Sequence, residues 1–447
     1  MQDLTIWDFV LLPVYLFILN LLAKFIRNRY SYDPRLAFYF IWGFRFKMVV
    51  AIVFTLLTNF VMRGDTVDLY YGEGKNFANI ISNNTEKIDL LFTKGGEEPN
   101  SLASPGEKGF LLMESNYMVV KISILLCFLG FKKYMIVNLL CAFIAFLGSW
   151  SLFLFFRKQR PEQEYALAIA CMAVPTMVFW SSGISKDAIC MAAIGFLTWG
   201  LHMLIVEKKK RIISFVLAAV AIFLIYHIKI YILYSYLPFC LYYLTISNIK
   251  RTQNRFFRIA LRLLFPLFFT GCVFYFYFFG DDFFRNFSSD EILNTVSVTQ
   301  ENFNVQAKTM EGSYFTLGEF DGTLTGFLSM TPAAIGTTFF RPFFWEARNM
   351  VMLLSALESL LILWFTLRNF FSITGIRNFF KKIFTDSLVI YCLGFSLLFA
   401  AFVGISSFNF GSLVRYKIPA IPFYLIAMIL ISGKTFIRKD KGEVNAV

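Results

Sequence analysis

Charge is what this sequence has least of. Charged residues are 16% of its 447, whereas soluble domains usually carry about 25%, and a water-soluble fold is thereby excluded. Cysteine is missing from every long polar loop. All seven (Cys127, Cys141, Cys171, Cys190, Cys240, Cys272 and Cys392) lie in apolar stretches and none forms a CxxC pair, which points to neither disulfides nor a thiolate metal site. A cleavage site is also lacking. The first apolar run, Val10 to Leu22, is followed by Lys24, Arg27 and Arg29 rather than by small residues, so it is expected to stay as a helix and not to be removed as a signal peptide.

What the chain does have is apolar length. It is 57% hydrophobic and 19% aromatic, with 57 Phe and a mean hydropathy of +0.62. The apolar residues come in repeated blocks of about 17 to 25, each able to cross roughly 30 Å of hydrocarbon. An all-α fold is therefore expected: a polytopic transmembrane helical bundle in one membrane domain, 1–447, with no separate soluble domain.

The net charge of +13 is unevenly spread. Residues 63–115 hold five basic and nine acidic residues, and residues 280–345 hold three and eight. The excess basicity falls in short connections, the positive-inside pattern of cytoplasmic loops, with some attraction to anionic headgroups. Nucleic acid is not an expected partner. With the Lys/Arg clusters as cytoplasmic, spans are expected near 8–27, 37–61, 134–156, 165–181, 187–206, 211–228, 229–247, 257–279, 346–367, 386–406 and 415–433. That is about eleven crossings, N-terminus outside and C-terminus in the cytoplasm. The clusters at Arg27–Arg35, Arg157–Arg160, Lys208–Arg211, Lys250–Arg258, Arg377–Lys382 and Lys434–Lys441 then share one side. Residues 63–133 form a large outer loop and 280–345 a second. Tyr117–Phe131 is too short to cross and is expected as an interfacial helix. Leu324–Phe340, which Thr331-Pro332 should break, is expected as another.

Five polar motifs fall on the outer side of this topology. Asp65 and Asp68, three residues apart after the second span, suit proton abstraction from a hydroxyl or a divalent cation, with Tyr71 and Glu73 beside them as substrate contacts. Ser185 can cap the helix that Lys186 begins, an anion-favouring position. His227 and Lys229 interrupt an apolar stretch and are costly there unless they meet water or a ligand. Arg341, Glu346 and Arg348 lie where the chain re-enters the membrane, ahead of Glu358 inside the span, the arginines offering bidentate donors for phosphate or carboxylate. Arg415 and Lys417 stand outside against the charge trend, which asks for an anionic ligand. Each motif also has a plain structural reading: loop, snorkelling lysine, tight turn, internal ion pair or interfacial anchor.

An acidic first outer loop (Asp65, Asp68) with interfacial helices, and a late Arg-Tyr-x-x-Pro sequence (Arg415, Tyr416, Pro419), resemble the GT-C class of membrane glycosyltransferases and, more loosely, the Wzy-type polysaccharide polymerases. The resemblance implies a catalytic base at Asp65 or Asp68 and phosphate contacts at Arg415, helped by Arg341 and Lys186. It implies a polyprenyl-linked sugar donor, a glycan, lipid or protein acceptor, and a bacterial inner membrane. Metal dependence varies within the class, so a divalent cation stays open. The sequence departs from the family: a whole span precedes the helix leading into the acidic loop, and Gly64-Asp65-Thr66 replaces the Asp-Glu pair of some subfamilies. A transporter or flippase for lipid-linked glycans is the non-enzymatic alternative.

Overall fold

The computed structural model describes residues 3–249, 315, 317, 324–348, 350–371, 375–407 and 409–433. The expected 257–279 span, most of the second outer loop, Cys272 and the basic clusters at Lys250–Arg258 and Lys434–Lys441 lie outside them. Every regular element among the described residues is helical. Among the described residues, seven helices are long and apolar enough to cross a membrane, or eight if one bent pair is a single span. Several apolar helices of this length mark a membrane protein.

The chain divides into two compact units, which meet in sequence between Leu233 and Tyr234. The first unit contains α1 (Ile6–Asn28), α2 (Pro34–Phe60), α3 (Glu73–Asn83), α4 (Glu97–Leu102), α5 (Glu114–Leu129), α6 (Tyr134–Gln159), α7 (Glu164–Met172), α8 (Pro175–Trp180), α9 (Lys186–Leu201) and the first part of α10 (Arg211–Ile249). Local chemistry fixes these boundaries. Asp33 accepts from the N–H groups of Arg35 and Leu36 at 3.1 Å ahead of Pro34 in the first turn of α2, which satisfies two donors that a helix start leaves free. Asp8 is fully buried; it accepts from the Thr5 N–H at 2.8 Å and from the Met135 N–H at 3.0 Å, tying α1 to the start of α6.

Close packing holds α6 against α9. A Cβ on Gly195 would sit 1.9 Å from the Gly148 carbonyl oxygen, and one on Gly148 would sit 2.4 Å from the Ala192 Cα. Only residues this small let two backbones approach so far, the usual device where lipid gives helices no hydrophobic reason to associate.

The crossing expected at 165–181 is not one helix. It is broken between α7 and α8, where Val174 is extended ahead of Pro175, because proline removes an N–H and excludes the preceding residue from helical geometry. The two spans expected at 211–228 and 229–247 are two helical stretches, labelled together α10, that join at a kink where the backbone of Lys229 is non-helical. The interfacial helix expected at Tyr117–Phe131 is α5; its 16 residues include buried Tyr117, Val119, Val120 and Ile124, so it packs into the unit more than it lies on it.

The second unit contains the rest of α10, then α11 (Leu324–Phe340), α12 (Met350–Phe370), α13 (Gly375–Thr385), α14 (Ser387–Ser406), α15 (Phe410–Tyr416) and α16 (Ile421–Ser432). The last expected span is bent by 64° between α15 and α16. Thr331-Pro332 does not break α11, which runs helical through Pro332. A Cβ on Gly404 of α14 would lie 2.4 Å from the Ala334 carbonyl oxygen, and Ala334, Ala401 and Ile405 make an apolar core there. That contact secures α11 beyond its proline.

Candidate functional site

Three of the five polar motifs come together in the first unit. The pivot is the turn before α9. Asn138 of α6 accepts the Ile184 N–H at 3.0 Å and donates to Thr55 of α2 at 3.0 Å. Ser185 then accepts the Ala188 N–H at 3.1 Å as the cap of α9, as expected from sequence. The cap puts Lys186 in the first helical position, half-buried, with its Nζ donating to Ser115 Oγ of α5 at 2.8 Å.

Beside it, Asp187 and Lys229 form a buried ion pair at 2.7 Å. The non-helical backbone of Lys229 lies where its ammonium meets Asp187, so the break and the pairing occur at one residue. Lys229 is thus a structural neighbour of Lys186, and their positive charges repel. His227 does not share this place. It is half-buried, and its Nδ1 lies 2.9 Å from the Phe223 carbonyl oxygen one turn back in its own helix.

Asp65 and Asp68 follow α2 on a short π-helical segment, Thr66–Gly72, that runs into α3. Asp65 is exposed and close enough to Lys186 for their charges to attract. Asp68 is bound by Arg63 at 2.7 Å, and Arg63 also holds Asp3 at 2.9 Å; the Asp68 carboxylate keeps the Arg63 guanidinium above its ordinary value. Two expected substrate contacts are used internally instead. Glu73 is buried and accepts from the Ser104 N–H and from Asn76, each at 3.1 Å. Tyr71 is buried and donates to the Lys132 carbonyl at 2.8 Å.

One residue of this cluster was missed in the sequence. Glu107 is half-buried in the short turn Pro105–Glu107, and burial, then the charges of Asp68, Glu73 and Asp65, push its carboxyl above the ordinary range. Desolvation together with like charges is the combination that keeps a carboxylic acid protonated. The Pro105-Gly106 pair marks a turn, but nothing local indicates that Glu107 would meet Asp65. Although four carboxylates feel one another here, no three His, Cys, Asp or Glu side chains among the described residues converge as metal ligands do.

The other two motifs meet in the second unit and form a closed knot. Arg341 pairs with Glu346, its Nε at 3.0 and 3.2 Å from the two carboxylate oxygens, and Glu346 also accepts the Phe343 N–H at 2.7 Å. The Arg341 guanidinium lies 5.2 Å from the ring centre of Phe315 and 4.8 Å from that of Phe410. Lys417 is fully buried and donates to Ser359 Oγ at 2.9 Å and to the Arg341 carbonyl at 3.2 Å, within the field of Glu358. Glu358 therefore has Lys417 as a charge neighbour, where the sequence pointed to Arg341 or Arg348. Arg348 is exposed, and Arg415 is half-buried in the last turn of α15.

The arrangement in the first unit can take a proton at Asp65, hold one at Glu107, and meet an anion at Lys186 beside the start of α9, where helix N–H groups and dipole add positive potential. Comparison with protein-family models, with curated proteins and with solved structures gives no match for this chain.

Proposed function

We propose that the chain is a membrane glycosyltransferase that uses a polyprenyl-linked sugar at the outer face of a bacterial inner membrane, in cell-envelope glycan or glycoconjugate synthesis. The observation that carries this reading is an exposed carboxylate, Asp65, in the field of Lys186 at the head of an apolar helix. In this reaction the acceptor hydroxyl oxygen bonds to the anomeric carbon as its proton passes to Asp65. The bond from that carbon to the donor phosphate breaks, and its electron pair leaves on the phosphate. Lys186 and the N-terminus of α9 stabilise that departing charge, which is the largest electrostatic demand of the step. Glu107, half-buried near Asp65, is a further hydrogen-bonding group for the bound sugar.

The reading carries with it about eleven crossings, an N-terminus outside and a C-terminus in the cytoplasm. The acceptor is a glycan, lipid or protein; a second lipid-linked oligosaccharide as acceptor makes the same chemistry a Wzy-like polymerisation.

A transporter or flippase of lipid-linked glycans is the second reading, favoured by one observation. Lys47 sits buried in the middle of α2, donating to the Val178 carbonyl at 2.9 Å and to Ser181 at 2.6 Å, and a cation at that depth in a membrane helix marks translocation paths elsewhere. Purified protein in liposomes with polyprenyl-linked glycans separates the two. Donor consumption that fails in Asp65→Asn and Lys186→Gln, with folding intact, supports transfer. A lipid-linked glycan that crosses the bilayer chemically unchanged overturns it.

A further inference from the structure

At the end of α2 opposite the carboxylate cluster, the last turn of α1 and the first half of α2 enclose a cleft of about 760 Å³. Its polar groups are Arg27, Ser31 and Arg45, and its wall is aromatic, with Phe38, Trp42 and Phe46. The last two rings stack at 5.8 Å, while Phe38 and Trp42 are 57% and 38% exposed, so the wall is open to whatever lies beside the helix.

The two arginines make this more than an apolar face. Arg45 stands eleven residues beyond Pro34, about 17 Å along the helix axis, well inside a candidate membrane span. Neither its guanidinium nor that of Arg27 has an ion-pair or hydrogen-bond partner among the described residues. Lys47, two residues on, shows the alternative: it turns into the protein and is satisfied by Val178 and Ser181. Arg45 instead faces outward, and a cation on the lipid side of a membrane helix is unfavourable unless an anion reaches it. A guanidinium prefers a planar pair of oxygens, which phosphate provides.

We infer that this cleft binds an anionic membrane lipid through its phosphate, held between Arg27 and Arg45 with Ser31 as a further donor, the acyl chain lying along Phe38, Trp42 and Phe46. Charge complementarity selects the headgroup, and the aromatic wall selects a lipid over a free ion. The site is independent of the glycosyl-transfer reading, because none of its residues takes part in that chemistry.

Native mass spectrometry of the full-length protein in detergent, titrated with phosphatidylglycerol, phosphatidylcholine or inorganic phosphate, tests it. The expected result is preferential retention of phosphatidylglycerol over phosphatidylcholine, weakened about tenfold in Arg45→Gln and also in Arg27→Gln, with inorganic phosphate a poor competitor. Equal retention of the two lipids, unchanged retention in both variants, or displacement by millimolar inorganic phosphate overturns it. If Arg45→Gln does not fold, Arg27→Gln, at the exposed end of α1, decides the matter alone.

Discussion

Both units bring charged motifs together from distant parts of the chain, yet the two clusters are built differently. In the second unit, Arg341, Glu346 and Lys417 meet one another: a carboxylate that also accepts a backbone N–H, a guanidinium between two phenylalanine rings, an ammonium bonded to a carbonyl and a hydroxyl. In the first, Asp65 stays exposed and Lys186 only half-buried. A residue type suited to phosphate binding says little by itself. Exposure separates a site from a joint, since a ligand can reach only a group that solvent also reaches.

The contrast is tested first where the effect should be largest. Asp65→Asn and Lys186→Gln are each expected to lower glycosyl transfer by about 10²–10⁴-fold, the usual contribution of a general base or a charge-stabilising group, while leaving the thermal unfolding midpoint close to wild type. A comparable fall in midpoint would make the first cluster structural as well. Asp187→Asn should behave in the opposite way. It leaves Lys229 buried without its counter-ion, and removing one partner of a buried pair costs about 3–5 kcal/mol, visible as a large drop in thermal midpoint in detergent. In the second unit, Glu346→Gln is expected to cost about 1–3 kcal/mol, the penalty of depriving partly buried groups of a charged acceptor. If it abolished transfer in a protein of unchanged stability, the closed knot would be a site after all.

The smallest effect concerns pH. Because folding raises the Glu107 carboxyl above its ordinary value of 4.5, the folded chain holds that proton longer than the unfolded chain does. Its contribution to stability is therefore full below the ordinary value, declines as pH rises through the raised one, and stays lost above it. Thermal midpoints of wild type and Glu107→Gln, compared from about pH 4 to pH 7, should diverge in that direction, the variant lacking this part of the pH dependence.

Much of the helical plan was legible, because α1, α2, α6, α12 and α14, and α9 with the turn that continues it to Glu207, are long apolar runs whose length alone matches a bilayer. The cap at Ser185 was legible too, since it depends on residues three apart. Breaks were harder. Pro175 ends a helix and Pro332 does not; the difference is the backbone contact between Ala334 and Gly404, seventy residues away in the chain. Tyr71 and Glu73 looked like ligands because their partners are backbone atoms at Lys132 and Ser104, and sequence says nothing about which carbonyl or N–H will arrive. Glu107 was invisible for the converse reason: its character comes first from burial and then from three other acids that the fold brings near.

The glycine contact between α6 and α9 carries a mechanical consequence. With Gly195 seated on the Gly148 backbone, neither helix can slide along or rotate against the other without a collision of main-chain atoms. The same α6 holds the turn ahead of Lys186 through Asn138, so the ammonium is mounted on a two-helix strut at a set height. Under the glycosyl-transfer reading, a donor phosphate must be delivered to that height.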